Sequence, residues 1–136
     1  MKEYKQGYTQ GVFDLFHVGH LNLINQSKKQ CNTLIVGVNT DILTYERKNK
    51  FPIIPNNDRL SIVCSIKGVD KALLIHDPDH YNNILTLGCD VLFVGDDWKG
   101  SEKFSLLEEK LAKKGIDVVY IPYTKNISSS ILRDFI

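Results

Sequence analysis

The sequence Gly11-Val12-Phe13-Asp14-Leu15-Phe16-His17-Val18-Gly19-His20 is the stretch around which this chain is organised. A short run with strand character, Tyr4 to Gln10, precedes it, and an apolar pattern of helical period follows it. The stretch is therefore predicted to turn a strand into a helix, with its second half at the helix N-terminus. Such an end presents free backbone N–H groups and a partial positive charge, and the two histidines fall on one face of the helix. This arrangement predicts a site for a phosphate group.

Two histidines at this spacing have two other interpretations. They could be half of a metal site, or they could be satisfied by hydrogen bonds within the turn. No cysteine or further histidine lies nearby to complete a metal set, since His76 and His80 are far along the chain. Both interpretations also leave the glycines unexplained. Gly11 permits a close approach of the backbone, and Gly19 leaves room for a bulky ligand beside His20.

Length and composition fit one globular domain that spans residues 1–136. The net charge of +1 gives no large field to attract nucleic acid or a membrane surface, so any anion must be bound by local charge. The three scattered cysteines, Cys31, Cys64 and Cys89, are typical of reduced thiols. The chain has no long apolar run, and its first residues are too polar for a signal peptide. We therefore expect a cytoplasmic protein that binds neither nucleic acid nor a membrane.

Strand and helix signals alternate along the chain. Continuous apolar and β-branched runs predict buried strands, and segments with helical spacing separate them. The predicted strands are 4–10, 33–38, 72–75, 91–94 and 118–121. Five such strands predict an α/β fold, namely a single Rossmann-like domain with a five-stranded parallel sheet and helices on both faces. Ligands of such sheets bind at the carboxyl ends of the strands, and neither a G-x-G-x-x-G fingerprint nor a Walker P-loop is present.

Three further polar segments are candidates for the same edge of the sheet. Gly95-Asp96-Asp97-Trp98 follows the fourth strand, where carboxylates can accept from an exocyclic amine while the tryptophan packs on a nucleobase. Ile127-Ser128-Ser129-Ser130 opens the last helix, so its hydroxyls and free N–H groups form a phosphate cradle. The structural alternatives are an acidic turn with a packing tryptophan and an ordinary serine N-cap. The basic segment Tyr45-Glu46-Arg47-Lys48-Asn49-Lys50 is either a solvated charge run or a loop that meets phosphates.

These motifs together resemble one family. The first stretch looks like the first signature of the HxGH nucleotidyltransferases, in particular the cytidylyltransferases. Gly95 to Trp98 resembles their G-D-D-W, and Ile127 to Ser130 resembles their I-S-T-T segment. The match covers the whole chain in the right order, and the glycerol-3-phosphate cytidylyltransferases are the group that it resembles most. The resemblance implies transfer of a cytidylyl group from CTP to a small alcohol phosphate, with glycerol phosphate giving CDP-glycerol and pyrophosphate for teichoic-acid-like or capsular polymers.

The resemblance also implies roles for individual residues. His17 and His20 would donate to the α- and β-phosphates, and a basic loop would supply further catalytic groups. One of these is Arg47, and the second falls on Asn49 or Lys50, because this sequence has about one extra residue before Arg59; we favour Lys50. The nucleotide would be bound by Gly11, Val12, Phe13, Asp14, His17, Gly19, His20, Gly95, Asp96, Asp97, Trp98, Tyr123, Thr124, Lys125, Ile127, Ser128, Ser129 and Ser130. The acceptor would meet Asp14, Arg47, Arg59, His80 and Tyr81. No protein side chain would hold a metal ion, but Mg²⁺ would accompany CTP, and the enzyme would be a homodimer.

Two positions depart from the family pattern. Tyr123 stands where the family has an arginine, and Lys125 or Arg133 would have to supply the missing charge. No lysine lies near His80 and Tyr81, where glycerol-3-phosphate enzymes tend to place one for the acceptor. Two alternatives therefore stay open. One is an enzyme of the same fold that uses ATP, or another acceptor such as ethanolamine phosphate, and the other is a nucleotide-binding module without turnover.

Overall fold

The computed structural model describes residues 3–122 and 128–134. The strands are β1 (Tyr4–Gly11), β2 (Cys31–Asn39), β3 (Lys71–Ile75), β4 (Val91–Gly95) and β5 (Asp117–Ile121). The α-helices are α1 (Val18–Lys28), α2 (Asp41–Lys48), α3 (Asn56–Cys64), α4 (His80–Leu87), α5 (Glu102–Ala112) and α6 (Ser129–Arg133), and a 3₁₀ turn spans Asp96–Trp98. Within these described ranges, no helix combines the length and the apolar character that crossing a membrane requires.

The strands form one parallel five-stranded sheet in the order β3-β2-β1-β4-β5. This confirms the predicted α/β fold. The order reverses at β1, from which β2 and β3 extend to one side and β4 and β5 to the other. A crevice forms outside the carboxyl ends of the strands at such a switch point. Because β1 ends at Gly11, the first signature begins at this crevice.

Helices cover both faces of the sheet, because its strands are apolar on both sides. Ile24 of α1 and Val63 of α3 are buried on one face, together with Phe93 of β4. Ile84 of α4 and Leu111 of α5 are buried on the other face. The apolar core therefore fills the space above and below the sheet and leaves its carboxyl edge to polar side chains.

One element differs from its prediction. The basic segment 45–50 is not simply a loop, because α2 runs to Lys48. Thr40 caps this helix, with its hydroxyl accepting from the backbone N–H of Leu43 at 3.2 Å. Asn49 then ends the helix in the left-handed conformation, with a φ of 57°. Leu43 and Thr44 are the buried residues of this eight-residue helix, and the basic residues at its end are exposed.

Candidate active site

A cleft of about 470 Å³, which we call the main cleft, opens at the carboxyl edge of the sheet. It lies where the first signature, the end of β4 and the start of α6 come together, so the motifs that the sequence singled out converge there. Its lining includes Gly11, Val12, His17, Gly19, His20, Gly95, Asp97, Trp98, Ser128, Ser129 and Ser130. This convergence makes the main cleft the candidate active site.

The two signature histidines cap the N-terminus of α1. His17 is the cap residue, and its Nδ1 accepts a hydrogen bond from the backbone N–H of Gly19 at 3.0 Å. His20 accepts from the backbone N–H of His17 through its own Nδ1 at 3.2 Å. The pair thus forms a reciprocal capping box, in which histidines replace the usual serine and glutamate. The two rings stack, with their centroids 3.9 Å apart.

The capping box fixes the tautomer of both histidines. A ring nitrogen that accepts from a backbone N–H carries no proton, so each neutral ring holds its proton on Nε2. Both side chains line the main cleft, and within residues 3–122 and 128–134 neither Nε2–H has a hydrogen-bond partner, so each is available to a ligand. Two such donors at a helix N-terminus suit the non-bridging oxygens of a phosphate whose charge increases in a transition state.

Both histidines favour the neutral form. Burial, with a smaller effect of the neighbouring His17, lowers the pKa of His20 from 6.5 to about 4. Burial also lowers the pKa of His17. Phe13 and Phe16 make the surroundings of His20 apolar, since the centroid of each phenyl ring lies 5.3 Å from that of the imidazole. The neutral form keeps the capping box intact, because protonating either Nδ1 would remove an acceptor.

The backbone of the turn that leads to these histidines is strained. Phe13 and Leu15 have φ values of 54° and 50°, in the left-handed region that bulky residues rarely adopt. Phe13 is held there because its ring is buried in the core. Asp14, between the two, is 3% exposed and is held by hydrogen bonds. Burial and hydrogen bonds therefore stabilise an unfavourable backbone that sets the start of α1.

Asp14 joins three segments of the chain. Its carboxylate accepts from the backbone N–H groups of Ile53 at 2.8 Å and Ile54 at 2.9 Å, and it pairs with Arg133 of α6 at 2.8 Å. Its backbone carbonyl accepts from the hydroxyl of Ser129 at 2.6 Å. The carboxylate thus has three partners within the chain, while Asp14 also borders a cleft of about 500 Å³, so its expected contact with the nucleotide or the acceptor stays a prediction. Arg133, considered as a replacement for the missing family arginine, is engaged in the same junction.

The main cleft is positively charged before any ligand binds. Arg47, Lys48 and Lys103 line it, and within residues 3–122 and 128–134 no carboxylate forms an ion pair with any of them. Burial, and after it the charge of Arg47, lowers the pKa of Lys48 and of Lys103. Cations that repel one another in this way attract an anion. The arrangement suits the several negative charges of a triphosphate.

Lys48, rather than Lys50, is the lysine of the basic segment that lines the main cleft. The sequence favours Lys50 as the partner of Arg47, because an insertion of about one residue leaves the register open. In the structure Lys48 lines both the main cleft and a second cleft of about 500 Å³ beside it, whereas Lys50 lines the second cleft. Phe51 and Arg133 also border the second cleft. Lys48 therefore replaces Lys50 as the candidate phosphate ligand.

The G-D-D-W segment forms one wall of the main cleft. A Cβ at Gly95 would lie 2.6 Å from a carboxylate oxygen of Asp97, so a larger residue there would displace the Asp97 side chain. Gly95, Asp97 and Trp98 line the cleft, and Asp96 is not among its lining residues. The Trp98 side chain is 47% exposed, and its ring centroid lies 5.4 Å from that of Phe104 in α5. An exposed ring beside a carboxylate suits a nucleobase.

The three serines at the start of α6 all line the main cleft. Ser128 is also the helix cap, since its hydroxyl accepts from the backbone N–H of Ile131 at 3.1 Å. Ser129 is tied to Asp14, as described above. The other residues of this region that the sequence assigned to the nucleotide lie outside the described residues: Tyr123, Thr124, Lys125 and Ile127.

Arg59 has a structural role, which corrects its expected contact with the acceptor. Its side chain is 0% exposed. The guanidinium donates to three backbone carbonyls and one carboxylate: those of Ile54 at 2.8 Å, Val12 at 2.6 Å and Asn39 at 2.8 Å, and Asp41 at 2.7 Å. It thereby ties the residues that follow β1 and end β2 to α3. A planar guanidinium presents several N–H donors at once, so an arginine can serve all four acceptors.

The two expected acceptor residues at the start of α4 point to different places. His80 is buried and lines the main cleft, with its ring centroid 5.6 Å from that of Phe104. Tyr81 packs against the core instead, and the Lys110 ammonium lies 4.3 Å from its ring centroid. Consecutive residues of a helix point about 100° apart, which explains the separation. Tyr81 is therefore a packing residue, and His80 stays a candidate for ligand binding.

Several polar residues of the main cleft were missed by sequence reasoning: Thr9, Gln10, Asn39, Thr44 and Lys103. None of them belongs to a motif with recognisable chemistry. Only their position in the sequence could have indicated them, because polar residues at the carboxyl ends of parallel strands lie where ligands bind to such sheets. That signal applies to Gln10 and Asn39, which lie near the ends of β1 and β2.

Comparison with known proteins agrees with this geometry. Residues 8–135 match the family described as cytidylyltransferase-like. The chain belongs to this family. A FAD synthase of Thermoplasma volcanium is 35% identical to this cytidylyltransferase-like protein over 126 residues, which cover 89% of this chain and 87% of that one. The bifunctional protein HldE of Caulobacter sp. (strain K31) is 37% identical over 95 residues, which cover 69% of this chain and 20% of HldE.

A solved structure has the same fold. The crystal structure of the lipopolysaccharide core biosynthesis protein from Thermoplasma volcanium GSS1 superposes with a TM-score of 0.74 at 31% sequence identity. The superposition covers 91% of this chain and 99% of the other. The comparisons thus confirm the family-level resemblance and support nucleotidyl transfer as the activity of this cytidylyltransferase-like protein.

The expected reaction, however, is wrong. Relatives with 35% to 38% identity are named FAD synthase. That name contradicts the formation of CDP-glycerol from CTP and glycerol phosphate, and it matches none of the alternatives that the sequence left open. The resemblance to glycerol-3-phosphate cytidylyltransferases therefore holds for the family and not for the substrate.

Proposed function

We propose that this protein makes FAD by transferring the adenylyl group of ATP to the phosphate of FMN, with release of pyrophosphate. FAD consists of FMN and an adenylyl group joined through their phosphates, so its formation from FMN is a nucleotidyl transfer. The observation that carries the proposal is the pair of free Nε2–H donors on His17 and His20, in a chain 35% identical to a FAD synthase.

The reaction is an in-line displacement at the α-phosphorus of ATP. An oxygen of the FMN phosphate forms the new bond, and the bond from the α-phosphorus to the bridging oxygen of the β-phosphate breaks on the opposite side. The electron pair of the broken bond leaves with pyrophosphate. The FMN phosphate is ionised near pH 7, because the second pKa of a phosphate monoester is about 6. The attack therefore needs no side chain as general base.

The protein positions the phosphates and neutralises their charge. His17 and His20 donate from Nε2 to non-bridging oxygens of the α- and β-phosphates, where negative charge increases in the transition state. Arg47 and Lys48 balance the charge of the leaving pyrophosphate, since both line the main cleft. The strained turn and the capping box keep the two donors in place while the phosphates move.

The space at the site supports a reaction between two large substrates. The main cleft of about 470 Å³ and the second cleft of about 500 Å³ adjoin each other. Their shared lining consists of Val12, His20, Thr44, Lys48, Ser129 and Ser130. Because His20 and Lys48 belong to both linings, the reacting phosphates fit where the two clefts meet.

Mg²⁺ is proposed to enter with ATP. The ion prefers oxygen ligands and commonly takes several of them from substrate phosphates, so it needs few protein ligands. When bound, the ion neutralises charge on the triphosphate and on the leaving pyrophosphate.

A homodimer is also proposed, as the family resemblance implies. Light scattering at micromolar concentration should give twice the chain mass of 15.5 kDa. A particle with the mass of a single chain would contradict the proposal.

Product analysis tests the proposed reaction. The protein is incubated with Mg²⁺, ATP and FMN, and the flavins are separated by chromatography with fluorescence detection. FAD and pyrophosphate should appear in equal amounts. Riboflavin is the matched control, because it lacks the attacking phosphate and should give no product. Release of pyrophosphate with another acceptor phosphate, but no FAD from FMN and ATP, would contradict the proposal.

A further inference from the structure

Three polar atoms of the main cleft have no hydrogen-bond partner. They are Nε2 of Gln10, Oδ1 of Asn39 and Nδ1 of His80. Across residues 3–122 and 128–134 these are the buried side-chain nitrogen and oxygen atoms without a partner, and all three side chains line the same cleft. A buried polar atom without a partner costs free energy. Three of them in one place, unused by the proposed transfer, indicate a site kept for a ligand.

The fold brings these three side chains together. Gln10 of β1 pairs with Gly37 of β2, and Asn39, two residues further along β2, points to the same face as Gly37. The helix α4 covers this face, since the amide of Asn83 donates to Gln10 at 3.0 Å. His80 begins the same helix. Gln10, Asn39 and His80, which we call the polar floor, therefore lie between the ends of two neighbouring strands and the start of α4.

The hydrogen-bonding character of the polar floor is mixed. Oε1 of Gln10 accepts from the Tyr8 hydroxyl at 2.7 Å and from Asn83 Nδ2, so the end of the amide left without a partner is the NH₂ group, a double donor. Asn39, which is 5% exposed, contributes an acceptor oxygen. The His80 imidazole also interacts with the backbone of Pro78, and its Nδ1, which has no partner at ordinary hydrogen-bond geometry, donates or accepts according to the ring tautomer. Burial lowers the pKa of His80 to about 4, so this ring is neutral at pH 7.

Hydroxyl groups are the ligands that fit such a set. Each hydroxyl donates one hydrogen bond and accepts others, so a chain of hydroxyls pairs with donors and acceptors together. A phosphate would use only the donors, and an apolar group would leave all three atoms unpaired. We infer that the polar floor binds the hydroxyls of the polyol chain that carries the acceptor's phosphate; this chain is the ribityl group of FMN, so the inference rests on the proposed function.

The ribose of ATP is the other source of hydroxyls. The wall suited to a nucleobase, Asp97 and Trp98, follows β4, whereas Asn39 ends β2 on the opposite side of β1. A nucleotide with its base at that wall and its phosphates at His17 and His20 lies away from Asn39. The position of Asn39 therefore favours the acceptor, while His80 lies nearer the nucleobase wall, because its ring and that of Trp98 both contact Phe104.

Calorimetric binding tests the inference without any need for FAD synthesis. The probes are D-ribitol 5-phosphate and pentyl phosphate, which share a phosphate and a five-carbon chain but differ in hydroxyls. The variant is Asn39→Leu, which removes the unpaired acceptor at similar volume. Wild type should bind the ribitol phosphate at least about fivefold more tightly than pentyl phosphate, and Asn39→Leu should lose most of that preference. Equal binding by wild type, or an unchanged preference in Asn39→Leu, overturns the inference.

Kinetics with FMN and ATP distinguish the two sources of hydroxyls. Asn39→Leu should raise KM for FMN about five- to tenfold and leave KM for ATP unchanged. A rise in KM for ATP instead would assign the floor to the nucleotide ribose and overturn the inference. If wild type forms no FAD, the proposed function fails, while the binding experiment still decides whether the floor recognises a polyol.

A second variant keeps the binding test possible if Asn39→Leu does not fold. Gln10→Glu keeps an oxygen that accepts from Tyr8 and Asn83, and it replaces the NH₂ donor by a second oxygen. Asn39→Leu itself should have a Tm no lower than wild type, because it removes an unpaired polar atom. If Asn39→Leu does not fold, the binding of D-ribitol 5-phosphate and pentyl phosphate is compared in Gln10→Glu. Loss of the ribitol preference then supports the inference, and a retained preference overturns it.

Discussion

The signature turn, residues 11–20, and the segment 45–54 contribute to the same cleft in opposite ways. The turn is held from within, by the buried Asp14 and by the capping box of His17 and His20. The segment 45–54 presents cations without carboxylate partners in the described ranges, and an exposed aromatic pair, Tyr45 and Phe51, whose ring centroids lie 4.5 Å apart. From this difference we propose that the signature turn orients the phosphates and that the segment 45–54 neutralises their charge.

The two regions meet at Asp14. Its carboxylate belongs to the turn and accepts from the backbone N–H groups of Ile53 and Ile54 in the second segment. Changes that remove the contacts holding the turn should therefore alter both stability and rate, whereas changes in the exposed segment should alter binding with little effect on folding. The four predictions that follow test this division, beginning with the largest effect.

Arg59→Met should destabilise the folded chain, including the start of the signature turn at Val12, more than any other substitution considered. The substitution leaves three backbone carbonyls and Asp41 without their donor, so the free energy of unfolding should fall by about 3 kcal/mol or more. Arg47→Met is the matched control, because this arginine is exposed. Its effect on stability should stay below about 0.5 kcal/mol, while KM for ATP rises. Urea denaturation measures both variants, and equal losses of stability in the two would contradict the division.

His17→Asn and His20→Gln separate the phosphate donors from the helix cap. Asparagine is a favoured N-cap residue and glutamine a favoured third residue of a capping box, so both variants keep an acceptor for the backbone N–H groups. Each should lose the Nε2–H donor and about 100-fold in kcat, the usual effect of removing one donor to a transition state. Circular dichroism should show a nearly unchanged Tm. Turnover within about threefold of wild type in both variants would remove the histidines from the mechanism.

Lys48→Met and Lys50→Met compare two lysines of the exposed segment. Lys48 lines the main cleft, so its loss should lower kcat/KM for ATP about tenfold, whereas Lys50→Met should change it less than about threefold. Both variants should unfold at the temperature of wild type. Steady-state kinetics measure the pair, and the reverse order would restore the assignment of Lys50 made from the sequence.

The smallest expected effect is the dependence of stability on pH. Burial lowers the pKa of His20 and of His80 from 6.5 to about 4 in the folded chain. Between these values the unfolded chain takes up protons that the folded chain does not, so the free energy of unfolding falls as the pH falls from 6.5 to 4. His80→Gln should make this fall in Tm shallower. Identical slopes for the variant and wild type would show that His80 does not titrate in this way.

Local patterns made the fold predictable from the sequence, together with the convergence of the signature motifs on one cleft. Alternating strand and helix signals suffice for a parallel α/β sheet, and His17 and His20 lie within one turn of the same helix. Arg59 was not predictable, because an arginine in a polar helix start looks exposed. Its burial depends on carbonyls of Val12 and Asn39, which are distant in the sequence.

The substrate was not predictable for a related reason. The motifs that the sequence displays are those that we assign to the phosphates, and enzymes with different acceptors need the same phosphate chemistry. The side chains that we propose for the acceptor, such as Gln10 and Asn39, are single polar residues at strand ends, which only the folded chain brings together. The resemblance therefore identified the family correctly and the reaction wrongly.

Nitrogen-15 NMR of the imidazole rings tests most directly whether the paired histidines hold the transferring phosphates. In the free protein at pH 7, His17 and His20 should both be neutral with the proton on Nε2, because each Nδ1 accepts from a backbone N–H. Their Nε2–H signals should shift when ATP and Mg²⁺ are added. A proton on Nδ1 of either ring, or Nε2–H signals that stay unchanged while the adenine protons show that ATP is bound, would contradict this role.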